Sequence, residues 1–201
     1  MIAIVDYDAG NIKSVDKALA FLGEERMVTR DVSAILRADK VILPGVGAFG
    51  EAMNRLREYG LVEPIRRVVA QGTPFLGICL GLQLLFESSE ESPGAQGLGL
   101  LKGQIRRIPA TPGCKVPHMG WNSLKLRPQS RLFRGIEDGA YVYFVHSYYL
   151  EAKEEAVVAA TTDYGTHIHA AVERENLFAC QFHPEKSGSV GLQILKNFAA
   201  L

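Results

Sequence analysis

Cysteine is scarce in this chain of 201 residues, which has only Cys79, Cys114 and Cys180. A set this sparse, and odd in number, builds no disulfide framework. Charge of one sign is also missing, since 22 Lys and Arg balance 22 Asp and Glu. Without a basic surplus there is no electrostatic footprint for nucleic acid and no polybasic membrane anchor. Long apolar runs are absent too, and none approaches the roughly 18 residues of a membrane span. The opening stretch, Met1-Ile2-Ala3-Ile4-Val5-Asp6, has no basic leader and reads as a strand rather than a signal peptide. These absences lead to the expectation of a cytoplasmic protein, in a compartment where a reduced thiol survives. What is present is ordinary: 47% hydrophobic and 22% charged residues are enough to build a core. The length suits one domain over residues 1–201.

Along the first ninety residues, apolar runs at 1–6, 26–29, 41–43 and 73–78 alternate with stretches of helical spacing. Ile12, Val15, Ala18, Leu19 and Leu22 make one such stretch, ending at Gly23. Others fall around Met53 and Leu56 and over residues 61–71. This alternation is the pattern of a parallel sheet covered by helices on both faces. Residues 88–99, rich in Ser, Glu and Gly, read as a surface loop. Beyond them, strand-like runs dominate at 103–108, 123–126, 141–145, 156–160, 167–172 and 178–182, and a helix closes the chain from residue 188. The expected fold is an α/β/α three-layer sandwich. Its central sheet is mainly parallel, with an antiparallel or mixed extension in the second half.

Two stretches carry chemistry. In Gly77-Ile78-Cys79-Leu80-Gly81 an apolar run enters a cysteine and a helix-like run leaves it, the strand–turn–helix pattern of a nucleophile elbow. Glycines on either side let the backbone pack closely there. A helix N-terminus facing the sulfur is one of the environments that lower a thiol pKa. The competing reading of the stretch alone is a buried structural cysteine. In Gln181-Phe182-His183-Pro184-Glu185 the histidine and glutamate are two residues apart at a strand end, which places both on one face. A carboxylate beside an imidazole fixes its tautomer, and such an imidazole can exchange protons with a thiol and a leaving amine. The competing reading here is a plain surface pair. Cys180-x-x-His183 supplies only two metal ligands, so no metal is expected. The glycine-rich 44–50 loop lacks the Gly-Lys-Ser/Thr ending of a phosphate cradle. Donating backbone N–H groups to an oxyanion, beside the N–H of Leu80, is the better use for it.

The elbow, the 44–50 loop and His183-Pro184-Glu185, in this order, make the sequence resemble the class I (triad) glutamine amidotransferases over nearly its whole length. Four stretches carry a narrower resemblance, to the branch that serves as glutaminase subunits of imidazole glycerol phosphate synthases in histidine biosynthesis. They are Asp6-Tyr7-Asp8-Ala9-Gly10-Asn11, Pro44-Gly45-Val46-Gly47-Ala48-Phe49, Pro117-His118-Met119-Gly120-Trp121-Asn122 and His183-Pro184-Glu185-Lys186-Ser187-Gly188. Asp8-Ala9 departs from the Gly-Ala or Gly-Pro-like pair expected there.

The resemblance implies that Cys79 attacks the side-chain amide of L-glutamine, that His183 protonates the departing ammonia and that Glu185 orients His183. It implies that Gln83 holds the substrate, that Gly47 and Leu80 frame its carbonyl through backbone groups, and that Ser147 and Tyr148 meet its amino-acid end. Ammonia would pass to a (β/α)8-barrel cyclase subunit in a heterodimer, and Asn11, Met119, Trp121, Tyr143 and Lys186 would face that barrel. The cyclase would make imidazole glycerol phosphate and aminoimidazole carboxamide ribotide. No cofactor is implied. Low activity without the partner is expected, because the 45–48 loop must rearrange before both oxyanion donors point at substrate. A stand-alone cysteine hydrolase and a non-catalytic activating subunit remain as alternatives on the same fold.

Overall fold

The computed structural model describes Met1–Leu201. Its first half runs β1 (Ile2–Val5), α1 (Ile12–Phe21), β2 (Arg26–Thr29), α2 (Val32–Arg37), β3 (Lys40–Leu43), α3 (Phe49–Glu58), α4 (Val62–Ala70), β4 (Phe75–Ile78) and α5 (Leu80–Leu84). Strands then dominate: β5 (Ser88–Ser89), β6 (Gly103–Arg107), β7 (His118–Ser123), β8 (Lys125–Leu126), β9 (Tyr141–His146), β10 (Tyr148–Ala152), β11 (Val158–Asp163), β12 (His167–Arg174) and β13 (Leu177–Cys180). Helix α6 (Gly188–Ala199) ends the chain.

Strands β2, β1, β3, β4 and β13 lie side by side, all parallel. From β13 the sheet continues antiparallel through β12, β10 and β6, with β11 and β8 beyond β12. Strands β7 and β9 form a separate antiparallel ribbon. Side chains on β1 alternate between two buried faces. Ala3 and Val5 join a core with Ile35, Leu56 and Ile65 of α2, α3 and α4, while Ile2 and Ile4 join one with Val15 of α1 and Phe198 of α6. Every residue of β1 is buried, which is why the strand reads as a continuous apolar run rather than an alternating one. The ribbon covers the second face through Val142 and Phe144. The three layers and the antiparallel extension are therefore as expected.

Several boundaries differ from the sequence reading. Helix α2 has six residues and one buried side chain, too short for a visible period; its start is fixed by the Asp31 carboxylate accepting from Ala34 N at 2.7 Å. Strand β10 is not among the strands expected from the sequence. It forms by pairing with β6, Leu150 opposite Ile105. The run expected at 123–126 is the junction of β7 and β8, and the run at 156–160 opens as a 3₁₀ turn, Glu155–Val157. The most consequential correction concerns His183 and Glu185. Strand β13 ends at Cys180, so they do not share a face by strand alternation; a 3₁₀ turn, Pro184–Lys186, brings them together.

The parallel core positions the site. Parallel strands end on one side of a sheet, so the segments after β1, β3, β4 and β13 meet there. Those segments hold Tyr7–Asn11, the 44–48 loop, Cys79 and the Gln181–Glu185 turn.

Candidate active site

Cys79 is the residue between β4 and α5, and its backbone is left-handed, with φ 55° and ψ −107°. That conformation is costly for a residue with a Cβ and is held by its neighbours. Cys79 N donates to the Cys180 carbonyl at 2.8 Å, and Leu82 N donates to the Cys79 carbonyl at 3.0 Å. The flanking glycines serve close approach. A Cβ on Gly81 would sit 1.9 Å from the Leu43 carbonyl oxygen, and one on Gly77 would sit 2.7 Å from the Gly81 oxygen. The elbow is thus wedged against β3, and its apex side chain is 6% exposed at the mouth of the site.

His183 lies fully buried beside Cys79. Its Nδ1 is 2.8 Å from Glu185 Oε1, so the carboxylate fixes the ring and leaves Nε2 without a hydrogen-bond partner of its own. Burial pulls the imidazole pKa down, but the adjacent Cys79 sulfur and Glu185 outweigh it and raise it to about 9. The ring is therefore an acid held ready at neutral pH. Asn11 adds to this group. Its Nδ2 donates to Glu185 Oε1 at 2.7 Å and lies 3.2 Å from His183 Nδ1. A residue expected on the partner face thus turns its side chain inward to the carboxylate.

In front of the sulfur is a cavity of about 390 Å³. Gly47, Leu80, Gln83, Ser147 and Tyr148 all line it, together with Cys79. Two larger clefts, of about 790 Å³ along residues 6–16 and about 510 Å³ between residues 135–140 and α6, hold neither a cysteine nor a histidine, so volume alone would have misplaced the site. Gln83 is buried rather than solvated. Its Nε2 donates to the Tyr148 carbonyl and to Gln181 Oε1, both at 3.1 Å, which leaves its oxygen as the free acceptor. Glu91 also lines the cavity, with one carboxylate oxygen accepting from Phe49 N at 2.7 Å. The 88–99 loop thus closes the site and contributes an acid. Sequence reading missed Glu91 because nothing in its local spacing marks it.

The backbone N–H groups expected to meet an oxyanion are not turned toward the cavity together. Leu80 N donates to the Gly45 carbonyl at 3.2 Å, so the 44–48 loop occupies the hydrogen that a substrate oxyanion would need. In a trans peptide the C=O and the following N–H point opposite ways. The Val46 N–H therefore faces away from Leu80. Turning the Gly45–Val46 peptide over would free one donor and deliver a second. Gly47, with φ 110°, gives the loop a residue free to follow. The loop start is pinned by Tyr7, whose buried hydroxyl donates to the Pro44 carbonyl at 2.9 Å.

Beside the triad, the β7–β9 ribbon carries Met119 and Trp121 at 62% and 55% exposure, with Trp121 set edge-on to Tyr143 at 6.1 Å between ring centres. Lys186 is exposed at the end of the turn after His183. Tyr143 reaches the triad through its backbone. Its carbonyl accepts from His183 N at 2.9 Å, and its N–H donates to Ser187 Oγ at 2.9 Å. Cys180 turns its sulfur to the Phe182 carbonyl at 3.5 Å, and no three His, Cys, Asp or Glu side chains converge as metal ligands.

A family model described as "Glutamine amidotransferase class-I" matches residues 3–201. A protein of Moorella thermoacetica named "Imidazole glycerol phosphate synthase subunit HisH" is 54% identical over 200 residues, covering all of this chain and 94% of the relative. One of the same name from Bacillus cereus strain G9842 is 53% identical over 198 residues, covering 98% and 93%. Among solved structures, a glutamine amidotransferase crystal structure matches with a TM-score of 0.78 at 21% identity, covering both chains completely. A chain of PurLQS from Thermotoga maritima matches with a TM-score of 0.72 at 21% identity, covering 98% of this chain and 96% of that one. These structural matches share the fold.

Proposed function

The chain belongs to the class-I glutamine amidotransferases, and from that premise we propose that it is the glutaminase subunit of an imidazole glycerol phosphate synthase in histidine biosynthesis. The observation that carries the chemistry is a buried imidazole–carboxylate pair, 2.8 Å apart, beside a cysteine at a left-handed strand–helix apex. Cys79 Sγ attacks the amide carbon of L-glutamine. The carbonyl oxygen takes on negative charge and is met by backbone N–H groups once the Gly45–Val46 peptide has turned. His183 gives its proton to the leaving nitrogen, and ammonia departs. Water, deprotonated by His183, then cleaves the thioester to glutamate and restores the thiol. Glu185 keeps the imidazole in place through both steps, and Asn11 keeps Glu185.

In this reading the 390 Å³ cavity takes glutamine. The Gln83 oxygen and the Glu91 carboxylate are acceptors suited to its α-ammonium group, and Tyr148, next to Ser147, is hydrogen-bonded to Gln83 through its carbonyl. The partner is a (β/α)8-barrel cyclase that receives the ammonia and docks on Met119, Trp121, Tyr143 and Lys186. An exposed Trp fits the centre of such an interface. Docking there bears on the catalytic base directly, since Tyr143 holds the His183 backbone. The occupied Leu80 N–H favours a partner-dependent enzyme over the stand-alone hydrolase.

The test is Cys79→Ala in the reconstituted heterodimer. Glutamine-dependent synthesis should vanish while synthesis from added ammonia continues. Loss of both would make Cys79 structural, and retention of glutamine-dependent synthesis would exclude it as the nucleophile.

A further inference from the structure

Gln181 follows the last residue of β13 and is fully buried, and its Nε2 lies 3.8 Å from Cys79 Sγ, within reach of a hydrogen bond to sulfur. Whether the sulfur meets a donor or a lone pair depends on how the amide is turned. The surrounding groups decide that. A backbone carbonyl can only accept, and the Tyr148 carbonyl is approached by His146 Nδ1 at 2.8 Å and by Gln83 Nε2 at 3.1 Å. Gln83 must therefore present its NH2 group there. Its second hydrogen goes to the nearest atom of Gln181, which must be the oxygen, at 3.1 Å. The Gln181 NH2 is then the end that faces Cys79.

The same carbonyl fixes two histidines behind it. His146 donates from Nδ1, so its Nε2 is bare and takes the Nδ1 hydrogen of His118 at 2.9 Å. His118 is held between Phe144 and Tyr164, with ring centres at 4.8 and 3.8 Å. Two donor lines thus converge on one carbonyl, and the sense of the Gln83 line turns the Gln181 NH2 toward the sulfur. A sulfur at 6% exposure is steadied by such a donor whenever it carries negative charge.

We infer that Gln181 is a further catalytic residue, whose side-chain N–H donates to Cys79 Sγ and holds the sulfur in its attacking form opposite His183. This rests on the glutaminase reading of the site. It assigns Gln83 two tasks, since the side chain that presents an acceptor to the substrate also aims the Gln181 amide.

The experiment uses the heterodimer carrying Gln181→Met, which keeps much of the volume and removes the N–H, and Gln181→Glu, which keeps the shape and offers only oxygen. Three quantities are read for each: glutamine-dependent synthesis, ammonia-dependent synthesis in the same sample, and the rate at which a glutamine-mimicking chloroketone alkylates Cys79. Loss of one charge-facing donor predicts a fall of about 10²-fold in kcat for glutamine, with KM changed by less than about threefold. Alkylation should slow in parallel while ammonia-dependent synthesis stays intact. The ammonia-dependent rate counts folded complex, so partial unfolding does not mimic the effect. Wild-type alkylation in either folded variant, or a loss carried by KM alone, overturns the inference. Loss of ammonia-dependent synthesis in both variants makes Gln181 a structural residue and overturns it equally. A wild-type heterodimer without glutaminase activity would sink the glutaminase reading instead.

Discussion

On the glutaminase reading, removing the Tyr7 hydroxyl should help to free the Leu80 N–H. Leu80 N–H is occupied by the Gly45 carbonyl, and the preceding carbonyl, Pro44, is held by the Tyr7 hydroxyl at 2.9 Å. The space on the Cβ side of Gly45 is filled by the same hydroxyl, 2.0 Å from where a Cβ would lie. Tyr7 is 1% exposed, and burial pushes its phenol pKa up, so it remains a donor over the working range. A buried neutral hydrogen bond contributes about 0.5–1.5 kcal/mol net, and a carbonyl left unpaired costs about 1–3 kcal/mol. A shift of about 1–2 kcal/mol between the blocked and turned loop changes their ratio by about 5–30-fold. If the turned loop is the minor state without the partner, its population rises by that factor in Tyr7→Phe. Partner-free glutamine hydrolysis should rise about 5–30-fold, while the partner-bound rate, where the loop is already turned, changes little. The assay is glutamate release with and without saturating cyclase, and the ratio of the two rates should shrink. A lower melting temperature with an unchanged partner-free rate would refute the reasoning, since Tyr7 would then serve the fold and not the loop.

Gly81→Ala should break the elbow, because the new Cβ would lie 1.9 Å from the Leu43 carbonyl oxygen and neither backbone can yield cheaply. A cost of about 1–3 kcal/mol is expected in urea unfolding, together with loss of glutamine hydrolysis; wild-type values in both would show that the strand–helix contact is slack. Stability should fall with acid because His118 and His146 are buried and neutral, with pKa values lowered by burial to about 4 and about 3. Depressed values contribute stability that is full above the unfolded pKa of about 6.5 and is lost as pH falls, at up to about 1.4 kcal/mol per unit for a ring. His183 works the other way. Its value of about 9 gives a contribution that is full below about 6.5 and lost as pH rises through about 9. Urea titrations at pH 7 and pH 5 giving the same unfolding free energy would refute the pair's assignment.

The residues legible in the sequence were those marked by a local pattern. Cys79 sits between glycines at a strand–helix junction, and His183-Pro184-Glu185 keeps base and carboxylate within one turn. Glu91 carries no such mark, and Gln181 and Tyr7, though inside marked stretches, show no role there, because each acts on a residue far along the chain. Tyr7 meets Pro44, Glu91 meets Phe49 and Gln181 meets Cys79. Those meetings depend on which parallel strands are neighbours. The insertion of β13 beside β4 is a long-range choice that periodicity does not encode. The same limit explains β10, which is defined by its pairing with β6 and has no mark of its own in the sequence. For the His183–Glu185 pair the outcome was legible and its cause was not, since a 3₁₀ turn does the work assigned to strand alternation.

Asp8 shows how far the short segment after β1 extends into this machinery. It departs from the glycine-like residue expected there and adopts φ 60° despite its Cβ. The strain is offset by unusual anchoring. Arg30 reaches its carboxylate at 2.6 Å, Tyr59 hydrogen-bonds to the same group, and Arg55 donates to its carbonyl at 2.8 Å. Within the next three residues, Gly10 lies so close to Val46 that a Cβ would fall 2.6 Å from the valine side chain, and Asn11 binds Glu185. One stretch of five residues, Tyr7 to Asn11, therefore touches the start of the oxyanion loop, the peptide that must turn and the triad carboxylate. It also lines a surface cleft with Asp6 and Lys13. Displacing this segment moves the base and the oxyanion donors together, whereas a contact on Trp121 or Tyr143 alone reaches only the base.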